Sequence, residues 1–260
     1  KLLNNEKRNL NLKKKFLINE KIYFFLKIAS QNNFKNWIVG GAVRDFIIGM
    51  SVKDIDIVID GYPKEVLKFL EKNKIPIKNK FLNYGVFFLK FDEIDCNLTC
   101  LREDYGHDGR HSKVIFSKNL NADSKRRDLT INALYLNLEG QIIDFCNGYH
   151  DIMNSNLIFI GDYKKKCLED YLRIVRYIRF CSIFKNPFIP KEYKIFFIEN
   201  SNLLKKIPKN KLLDELKKIF VNKYFYNSIE LIKFLNLENY LLNEILINDD
   251  FLRNKLKYYL

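Results

Sequence analysis

The sequence predicts an α+β protein, with a mixed β-sheet and flanking helices followed by an all-helical region. Up to about residue 150, short runs of β-branched and aromatic residues alternate with helical segments. From about Leu168 onward, apolar residues instead recur at the helical spacing i, i+3, i+4. The 260 residues are 47% hydrophobic, and this content is enough for a substantial core.

The elements before residue 150 are short and follow one another closely. Phe16, Ile22, Phe25 and Leu26 predict a basic amphipathic helix within residues 1–30, where eight Lys or Arg accompany two Glu. The next elements are expected to be strand, helix, strand, helix and two paired strands, in the segments NWIVGG, AVRDFIIG, DIDIVI, PKEVLKFLEKN, YGVFFLKF and DCNLTCL.

The second part of the chain is expected to be helical. Apolar residues recur at helical spacing in CLEDYLRIVRYIRFCSIF, PKEYKIFFIENSNLLKKI, KNKLLDELKKIFV and SIELIKFLNLENYLLNEIL. Residues 185–223 contain ten Lys and four acidic residues, so the first of these helices are basic. No long Gly/Ser linker separates the two parts, and we expect them to abut.

The charge of the chain indicates its partner. A formal net charge of +14 favours a polyanion, and nucleic acid is the commonest one. No segment approaches the roughly 18 to 20 uncharged apolar residues of a membrane span, and the first fifteen residues lack the apolar core of a signal peptide. We expect a cytoplasmic protein, with an organelle as the alternative, and neither a membrane nor an obligatory protein partner.

The cysteines are expected to be reduced. There are five, an odd number at irregular spacing, which is typical of a reducing compartment. Cys96, Cys100, His107 and His111 have a spacing similar to that of zinc ligands. Residues four apart on a strand lie about 13 Å from each other, too far to share one tetrahedral ion, so we expect core packing.

Residues 39–60, VGGAVRDFIIGMSVKDIDIVID, combine two glycines with two closely spaced acids. Asp54 and Asp56 would point to the same side of a strand, where their oxygens suit Mg²⁺. Gly40 and Gly41, just before a helix, let backbone amides approach an anion. The segment predicts a metal–triphosphate site for phosphoryl transfer. The alternative is a helix cap followed by a strand with solvent-facing acids.

This segment resembles the signature of the class II tRNA nucleotidyltransferases and their poly(A) polymerase relatives, in the polymerase β-like nucleotidyltransferase superfamily. Four further segments match that family in the same order. They resemble its flexible loop, ribose-binding motif, hinge and nucleotide-selecting helix, in LREDYGHDGRH (101–111), RRDLTINALY (126–135), DFCNG (144–148) and EDYLRIVRYIRF (169–180).

The resemblance implies four regions. They are a basic N-terminal helix, a catalytic nucleotidyltransferase head, a helical nucleotide-selecting neck and the start of a reduced or truncated helical body, at residues 1–30, 31–150, 151–220 and 221–260.

The resemblance also implies a role for each motif. Asp54 and Asp56 bind two Mg²⁺ ions. One ion activates the RNA 3′-hydroxyl, and the other stabilises the departing pyrophosphate. The triphosphate is held by Gly40, Gly41 and Arg44. Ribose and triphosphate contacts fall on Arg126, Arg127, Asp128 and Asn132, with Asp128 accepting from the 2′-OH. The flexible loop contributes Arg102, Asp104, Asp108, Gly109 and Arg110, and the hinge contributes Asp144 and Gly148.

Base selection is expected from the neck. Asp170 and Arg173 are three residues apart, so on one helix they share a face and present an acceptor beside a donor fork. Cytosine and adenine both offer an amino donor next to a ring-nitrogen acceptor, which this pair complements. The alternative is an ordinary i, i+3 salt bridge. The supporting residues are Glu169, Arg176 and Arg179.

The chain departs from the family pattern in three places. Asn97 stands where the family usually has an acid, and Asp95 precedes it on the same strand face. Asn210 and Lys211 replace a Glu-Arg pair in the neck. The family's body and tail, which hold the tRNA elbow, are expected to be absent or reduced.

The expected function is addition of CCA to tRNA 3′ ends from CTP and ATP, with contacts to the acceptor and T arms. The retained loop segment EDYGHDGRH favours complete CCA addition. The alternatives are a poly(A) polymerase or a partial CC- or A-adding enzyme on the same scaffold, and a non-catalytic RNA-binding derivative.

Overall fold

A computed structural model describes residues 20–52, 54–92, 94–105 and 113–242. The described residues up to Ile152 form one compact unit, and those from Met153 onward form a second. The first unit contains a mixed sheet with flanking helices and the second is helical, so the predicted α+β class is confirmed. Within the described ranges, no helix combines the length and apolarity needed to cross a membrane.

The first unit is built on a seven-stranded sheet. Its strands are β1 (Asn36–Val39), β2 (Ile55–Ile59), β3 (Ile77–Phe81), β4 (Val86–Phe91), β5 (Ile94–Cys100), β8 (Leu134–Leu136) and β9 (Ile142–Asp144). Their order across the sheet is β3-β4-β5-β2-β1-β8-β9, with β2 and β5 parallel and the other neighbours antiparallel. A separate hairpin consists of β6 (Arg102–Tyr105) and β7 (Lys113–Phe116).

The helices of the first unit are short. They are α1 (Glu20–Gln31), α2 (Gly41–Ile47), α3 (Pro63–Lys72), α4 (Leu120–Lys125) and α5 (Gly148–Met153), with 3₁₀ turns at Leu82–Tyr84 and Thr130–Asn132. The strands and helices expected between residues 36 and 100 are confirmed. The predicted N-terminal helix is described from Glu20 onward, and its earlier residues, including Phe16, lie outside the described ranges.

The two faces of the sheet are covered unequally. On one face α1 and α3 pack through rings: Phe25 lies 6.2 Å from Phe69 and 5.5 Å from Phe91. The other face has a smaller cluster, formed by Val39, Val58, Leu101, Leu120 and Tyr135. Asp56 and Asn97 share that second face by strand alternation, and neither is buried. This face is therefore open where the acids lie.

The second unit is a set of packed helices. They are α6 (Tyr163–Glu169), α7 (Leu172–Cys181), α8 (Lys191–Glu199), α9 (Lys209–Val221) and α10 (Phe225–Phe234), with a 3₁₀ turn at Ser201–Lys206 and a π-helical turn at Glu238–Leu242. An aromatic core joins α7 to α8, where the Tyr177 ring lies 5.2 Å from Phe197 and 5.7 Å from Tyr193. The sequence predicted this helical character but placed one boundary wrongly.

The expectation of one continuous helix through residues 169–180 is wrong. Helix α6 ends at Glu169, and Asp170 has extended backbone angles, φ −148° and ψ 103°. The Asp170 side chain accepts from the Leu172 amide at 3.1 Å, which satisfies an otherwise open donor at the start of α7. The apolar spacing runs on across this break, so periodicity alone could not reveal it.

Candidate active site

The two acids lie at the start of β2. Asp54 immediately precedes the strand and Asp56 is its second residue; both are exposed, whereas the other β2 residues are buried. Asp56 pairs in register with Asn97 of β5, whose amide nitrogen donates to Asp56 Oδ1 at 2.9 Å. Asp95 faces Lys78, with 3.6 Å between its carboxylate and the ammonium. The residue paired with Asp56 on β5, Asn97, therefore carries a neutral side-chain amide.

The glycine turn lies beside Asp56. Gly40 has φ +75°, a backbone conformation that favours glycine, and it directly precedes α2. A Cβ on Gly40 would lie 3.5 Å from Arg127 Nη1, 3.6 Å from the Asn132 carbonyl oxygen and 4.0 Å from Asp56 Oδ2. Two motifs far apart in sequence, residues 39–60 and the RRDLTIN segment, thus converge at one point, and the missing side chain leaves space between them.

Arg44 connects the glycine helix to the RRDLTIN segment. Its side chain is buried, and its Nε and Nη2 both donate to Asp45 Oδ1, at 2.9 and 2.7 Å. Its Nη1 donates to Asn132 Oδ1 at 2.5 Å. Asn132 in turn donates to Asp128 Oδ1 at 3.0 Å. The chain Arg44–Asn132–Asp128 fixes the orientation of the predicted ribose-binding carboxylate.

Asp123 holds the two arginines of the RRD motif, and the sequence interpretation missed it. Its side chain has no exposed surface and pairs with Arg126 Nη2 at 2.7 Å and Arg127 Nη2 at 3.0 Å. The Tyr135 hydroxyl donates to Asp123 Oδ2 at 2.8 Å. Burial alone would raise the pKa of Asp123, but the charges of Arg127 and Arg126 and the Tyr135 hydrogen bond together lower it. Asp123 therefore remains ionised between the two guanidinium groups.

The predicted hinge is the cap of α5. Asp144 Oδ1 accepts from the amides of Cys146 and Gly148, both at 3.0 Å, and Asp144 Oδ2 accepts from Tyr149 at 3.0 Å. A Cβ on Gly148 would lie 2.1 Å from the Thr130 carbonyl oxygen, so only glycine fits there. The motif therefore packs α5 directly against the RRDLTIN segment.

The predicted flexible loop lies only partly within the described residues. Residues 102–105 form strand β6, so the expectation of a loop from residue 101 is wrong there; pairing with β7 satisfies the backbone groups on the side of β6 that faces β7. Arg102 Nη1 donates to the Tyr84 carbonyl at 2.5 Å. Asp104 lies in β6, and Asp108, Gly109 and Arg110 lie outside the described residues, as do His107 and His111.

The predicted base-selecting residues do not share one helix. Arg173 lies in α7, and its Nη1 donates to the Lys166 carbonyl at 3.0 Å and lies 3.5 Å from Glu169 Oε2. Asp170 lies in the break between α6 and α7 and its own carbonyl accepts from the Arg173 amide at 3.1 Å. The prediction that Asp170 and Arg173 share one helix face is therefore wrong. The hydrogen bond from the Arg173 amide to the Asp170 carbonyl nevertheless joins the two residues in one turn.

The remaining supporting arginines lie on α7. Arg179 Nε lies 2.7 Å from Glu215 Oε2 of α9, and both side chains are largely buried. Arg176 and Arg179 both lie over the Phe180 ring, with guanidinium carbons 5.9 and 4.2 Å from its centroid. Glu215 lies further along the helix in which Asn210 and Lys211 replace the family's Glu-Arg pair, and no motif in the sequence marks it.

Two family models match the chain. The Poly A polymerase head domain matches residues 36–158, and the probable RNA and SrmB-binding site of polymerase A matches residues 188–247. The human mitochondrial CCA tRNA nucleotidyltransferase 1 is 33% identical over 228 residues, which cover 86% of this chain and 52% of that protein. The chain belongs to the class II CCA-adding enzyme and poly(A) polymerase head family.

Other members of this family are similar to the same extent. The CCA-adding enzyme of Lactobacillus helveticus is 33% identical over 201 residues, covering 76% of this chain and 49% of that enzyme. The chain spans about half the length of the curated relatives it matches.

Solved structures have the same fold. A tRNA nucleotidyltransferase complexed with a primer tRNA and an incoming ATP analogue matches with a TM-score of 0.68 at 25% identity, over 84% of this chain and 62% of that one. The Bacillus stearothermophilus CCA-adding enzyme in complex with CTP matches with a TM-score of 0.70 at 24% identity, over 82% of this chain and 51% of that one.

Heads of this family generally use divalent metals, and the donors at β2 fit such an ion. Asp54 and Asp56 offer hard, exposed carboxylate oxygens beside the open Gly40 turn. Among the residues that the structure describes, no cluster of three or more His, Cys, Asp or Glu could hold a metal. Beside Asp56, the paired position on β5 carries the Asn97 amide instead of a further carboxylate.

Gly40→Ala is expected to lower nucleotide addition about tenfold or more, because its methyl group would fill the space between Arg127, Asn132 and Asp56. Gly49→Ala is the matched control: Gly49 has φ +77° with no atom within 4 Å of an added Cβ. Both variants should lose about 1–3 kcal/mol of stability, because an alanine at positive φ is strained. Thermal melting and a primer-extension assay separate the two effects. Equal activity in both variants would contradict a phosphate-binding role for the turn.

Proposed function

We propose that this chain is a template-independent nucleotidyltransferase that adds or repairs the 3′-terminal CCA of tRNA, using CTP and ATP and releasing pyrophosphate. The observation that carries the proposal is the convergence at Gly40, where the glycine turn, the acid of β2 and an arginine of the RRD motif lie within 4.0 Å of one point. A site for phosphoryl transfer needs an anion-binding turn, acidic metal ligands and cationic charge together.

Within this proposal, Asp54 and Asp56 hold two Mg²⁺ ions. When bound, these ions supply activation of the RNA 3′-hydroxyl and stabilisation of charge on the transferring phosphate. The Asn97 amide donates to Asp56 Oδ1 and so orients that carboxylate without adding negative charge. The protein's own contribution is to keep the two carboxylates together on the open face of the sheet.

The triphosphate is proposed to lie against Gly40, Gly41 and the start of α2, where backbone amides attract anions. Arg44 and Arg127 supply positive charge. Asn132 holds the Arg44 side chain in position, and Asp123 holds that of Arg127. Asp128, held by Asn132, is positioned to accept a hydrogen bond from the ribose 2′-OH. That contact would favour ribonucleotides over deoxyribonucleotides.

The RNA partner is proposed to be the acceptor and T arms of tRNA. The net charge of +14 and the ten Lys of residues 185–223 suit phosphate contacts. A solved relative was captured with a primer tRNA, and others with CTP or ATP. Relatives named as mitochondrial and as bacterial enzymes both match, and the cytoplasm remains our proposed compartment.

A primer set tests this function. The chain is incubated with tRNAs lacking zero, one, two or three terminal nucleotides and with each labelled NTP, and the products are separated on a sequencing gel. CCA addition predicts C onto the two shorter primers, A onto the primer ending in CC, and nothing onto the complete end. A long A ladder would indicate a poly(A) polymerase, and binding without extension would indicate a non-catalytic derivative.

Base selection is proposed to depend on Asp170 and Arg173. Arg173→Ala or Asp170→Ala should let UTP or GTP compete, with a penalty of about 1–3 kcal/mol per lost base-edge pair. Arg173 also contacts Glu169 and the Lys166 carbonyl, so its loss disturbs α6 as well, and a control for this effect is needed. Glu169→Gln should weaken that support while keeping the base-facing groups. The measurement is kcat/KM for all four NTPs.

The ratios between NTPs decide this prediction. If both alanine variants slow CTP and ATP addition equally and still reject UTP and GTP as sharply as the wild type, the pair is not the selector. Arg176 and Arg179 would then be the next candidates.

A further inference from the structure

On the open face of the head sheet, a row of directly paired residues runs from Asp56 of β2 across β5 to β4. Asp56 pairs with Asn97 across β2 and β5, and Asn97 pairs with Phe88 across β5 and β4. Directly paired residues lie on the same face of a sheet. Their strand neighbours Ile57 and Leu98 are fully buried on the opposite face. Phe88 therefore lies about 10 Å from Asp56, two strand spacings along one row.

An aromatic pair ends this row. The Phe88 ring lies 6.0 Å from the Phe81 ring of β3, at an angle of 82°. Phe81 is 50% exposed on an edge strand, and Phe88 is only partly buried. Lys78, also on β3, pairs with Asp95, which lies on the same face as Asn97. A half-exposed ring, a partly buried ring and the exposed Lys78 ammonium therefore lie on the sheet face that carries the candidate active site.

The position of the pair relative to Gly40 indicates its occupant. Gly40 follows β1, and the strand order β4-β5-β2-β1 places Gly40 and Phe88 on opposite sides of Asp56. In phosphoryl transfer the attacking and leaving oxygens lie roughly in line across the transferred phosphorus. With the triphosphate at Gly40, the attacking 3′-hydroxyl approaches from the β5–β4 side. The rings therefore lie where the end of the primer must be.

We propose that Phe81 and Phe88 form a stacking platform for the unpaired 3′-terminal bases of the RNA primer. The proposal rests on the proposed function, because it uses the same acids. Aromatic rings stack on any base, since every base has a π face. That tolerance suits an enzyme whose primer ends in a different nucleotide after each addition.

The test compares two RNA minihelices in fluorescence anisotropy, without NTP or divalent metal. One has an unpaired 3′ end and the other is blunt. The wild type should bind the tailed RNA more tightly than the blunt RNA. The Phe81→Leu/Phe88→Leu double variant should bind the tailed RNA about tenfold more weakly than the wild type does, with its affinity for the blunt RNA unchanged. Phe81→Tyr/Phe88→Tyr, which keeps both rings, should retain the preference. The control Phe24→Leu removes a ring that is 61% exposed on α1 and should change nothing.

Steady-state kinetics give a second readout. The leucine variants should raise the KM for RNA and leave the KM for CTP unchanged. If the preference for tailed RNA is absent in the wild type or unchanged in the double variant, the platform is wrong. A rise in the KM for CTP with unchanged RNA affinity would also overturn it, because it would place the incoming nucleotide on the rings.

Two further outcomes keep the inference separate from other effects. If Phe88→Leu lowers the melting temperature, Phe81→Leu alone decides, because Phe81 is half exposed on an edge strand. If the wild type extends no primer but prefers the tailed RNA, and the double variant lacks that preference, the proposed function is refuted and the platform is supported.

Discussion

Asp54→Asn and Asp56→Asn are each expected to lower nucleotide addition by about a thousandfold or more, with the fold and RNA affinity nearly unchanged. Both side chains are exposed at the start of β2, so a neutral isostere disturbs no packing. The lost charge acts on the transition state more than on the ground state, and kcat should fall more than KM rises. Single-turnover extension of a tRNA lacking its terminal A measures the effect.

Asp95→Asn is the matched control for these variants. Asp95 lies on the same sheet face as Asn97, and its carboxylate pairs with Lys78 at an exposed position. Such pairs contribute little, and activity should stay within about threefold of wild type. A loss as large as that of Asp56→Asn would show that Asp95 replaces the acid missing at Asn97. More than about a tenth of wild-type rate in either β2 variant would contradict the two-metal assignment.

Asp123→Asn is expected to destabilise the head by about 3–5 kcal/mol, because it leaves Arg126 and Arg127 without their buried counter-charge. Nucleotide addition should fall as well, since Arg127 lies against the Gly40 turn. Urea unfolding followed by circular dichroism measures the first effect. Asp162→Asn is the control: Asp162 is an exposed N-cap accepting from Lys164 and Lys165, and Asn caps equally well.

The same carboxylate predicts a pH dependence. The pKa of Asp123 is lowered in the folded state, so its contribution to stability is fully present above the unfolded value of 3.8 and is lost as pH falls through the lowered value. The difference in unfolding free energy between wild type and Asp123→Asn should therefore stay constant from pH 7 to about pH 5 and shrink only below about pH 4. A difference that already disappears near pH 6 would contradict an ionised Asp123.

The elements nearest the acids could be predicted because their sequence signals are local. The alternation in DIDIVI predicts β2, and Gly40 and Gly49 mark the two ends of α2. Strand β3 was missed because IKNKF is an edge strand whose residues are mostly exposed, so it shows no apolar pattern. Strand β8 was missed because its three residues, LYL, are all buried and too few to show a period.

The candidate site shows the same limit. Gly40, Asp56 and Arg127 could be named from motifs, but their convergence depends on strand order, which the sequence does not state. Asp123 stands alone in NLNADSK, and only the fold places it between two arginines and Tyr135. Apolar spacing predicts a helix through Asp170, because it continues across a break that the Asp170 side chain caps. Long-range pairing and capping are the features that periodicity omits.

The most direct test of the central claim is the 3′-end sequence of tRNA lacking CCA after incubation with equimolar ATP, CTP, GTP and UTP in Mg²⁺ buffer. The wild-type chain should produce ends that read CCA and stop there, and the Asp56→Asn chain should leave the primer unextended. Wild-type ends that carry homopolymers or mixed bases, or addition that persists in Asp56→Asn, would contradict CCA synthesis at the β2 acids.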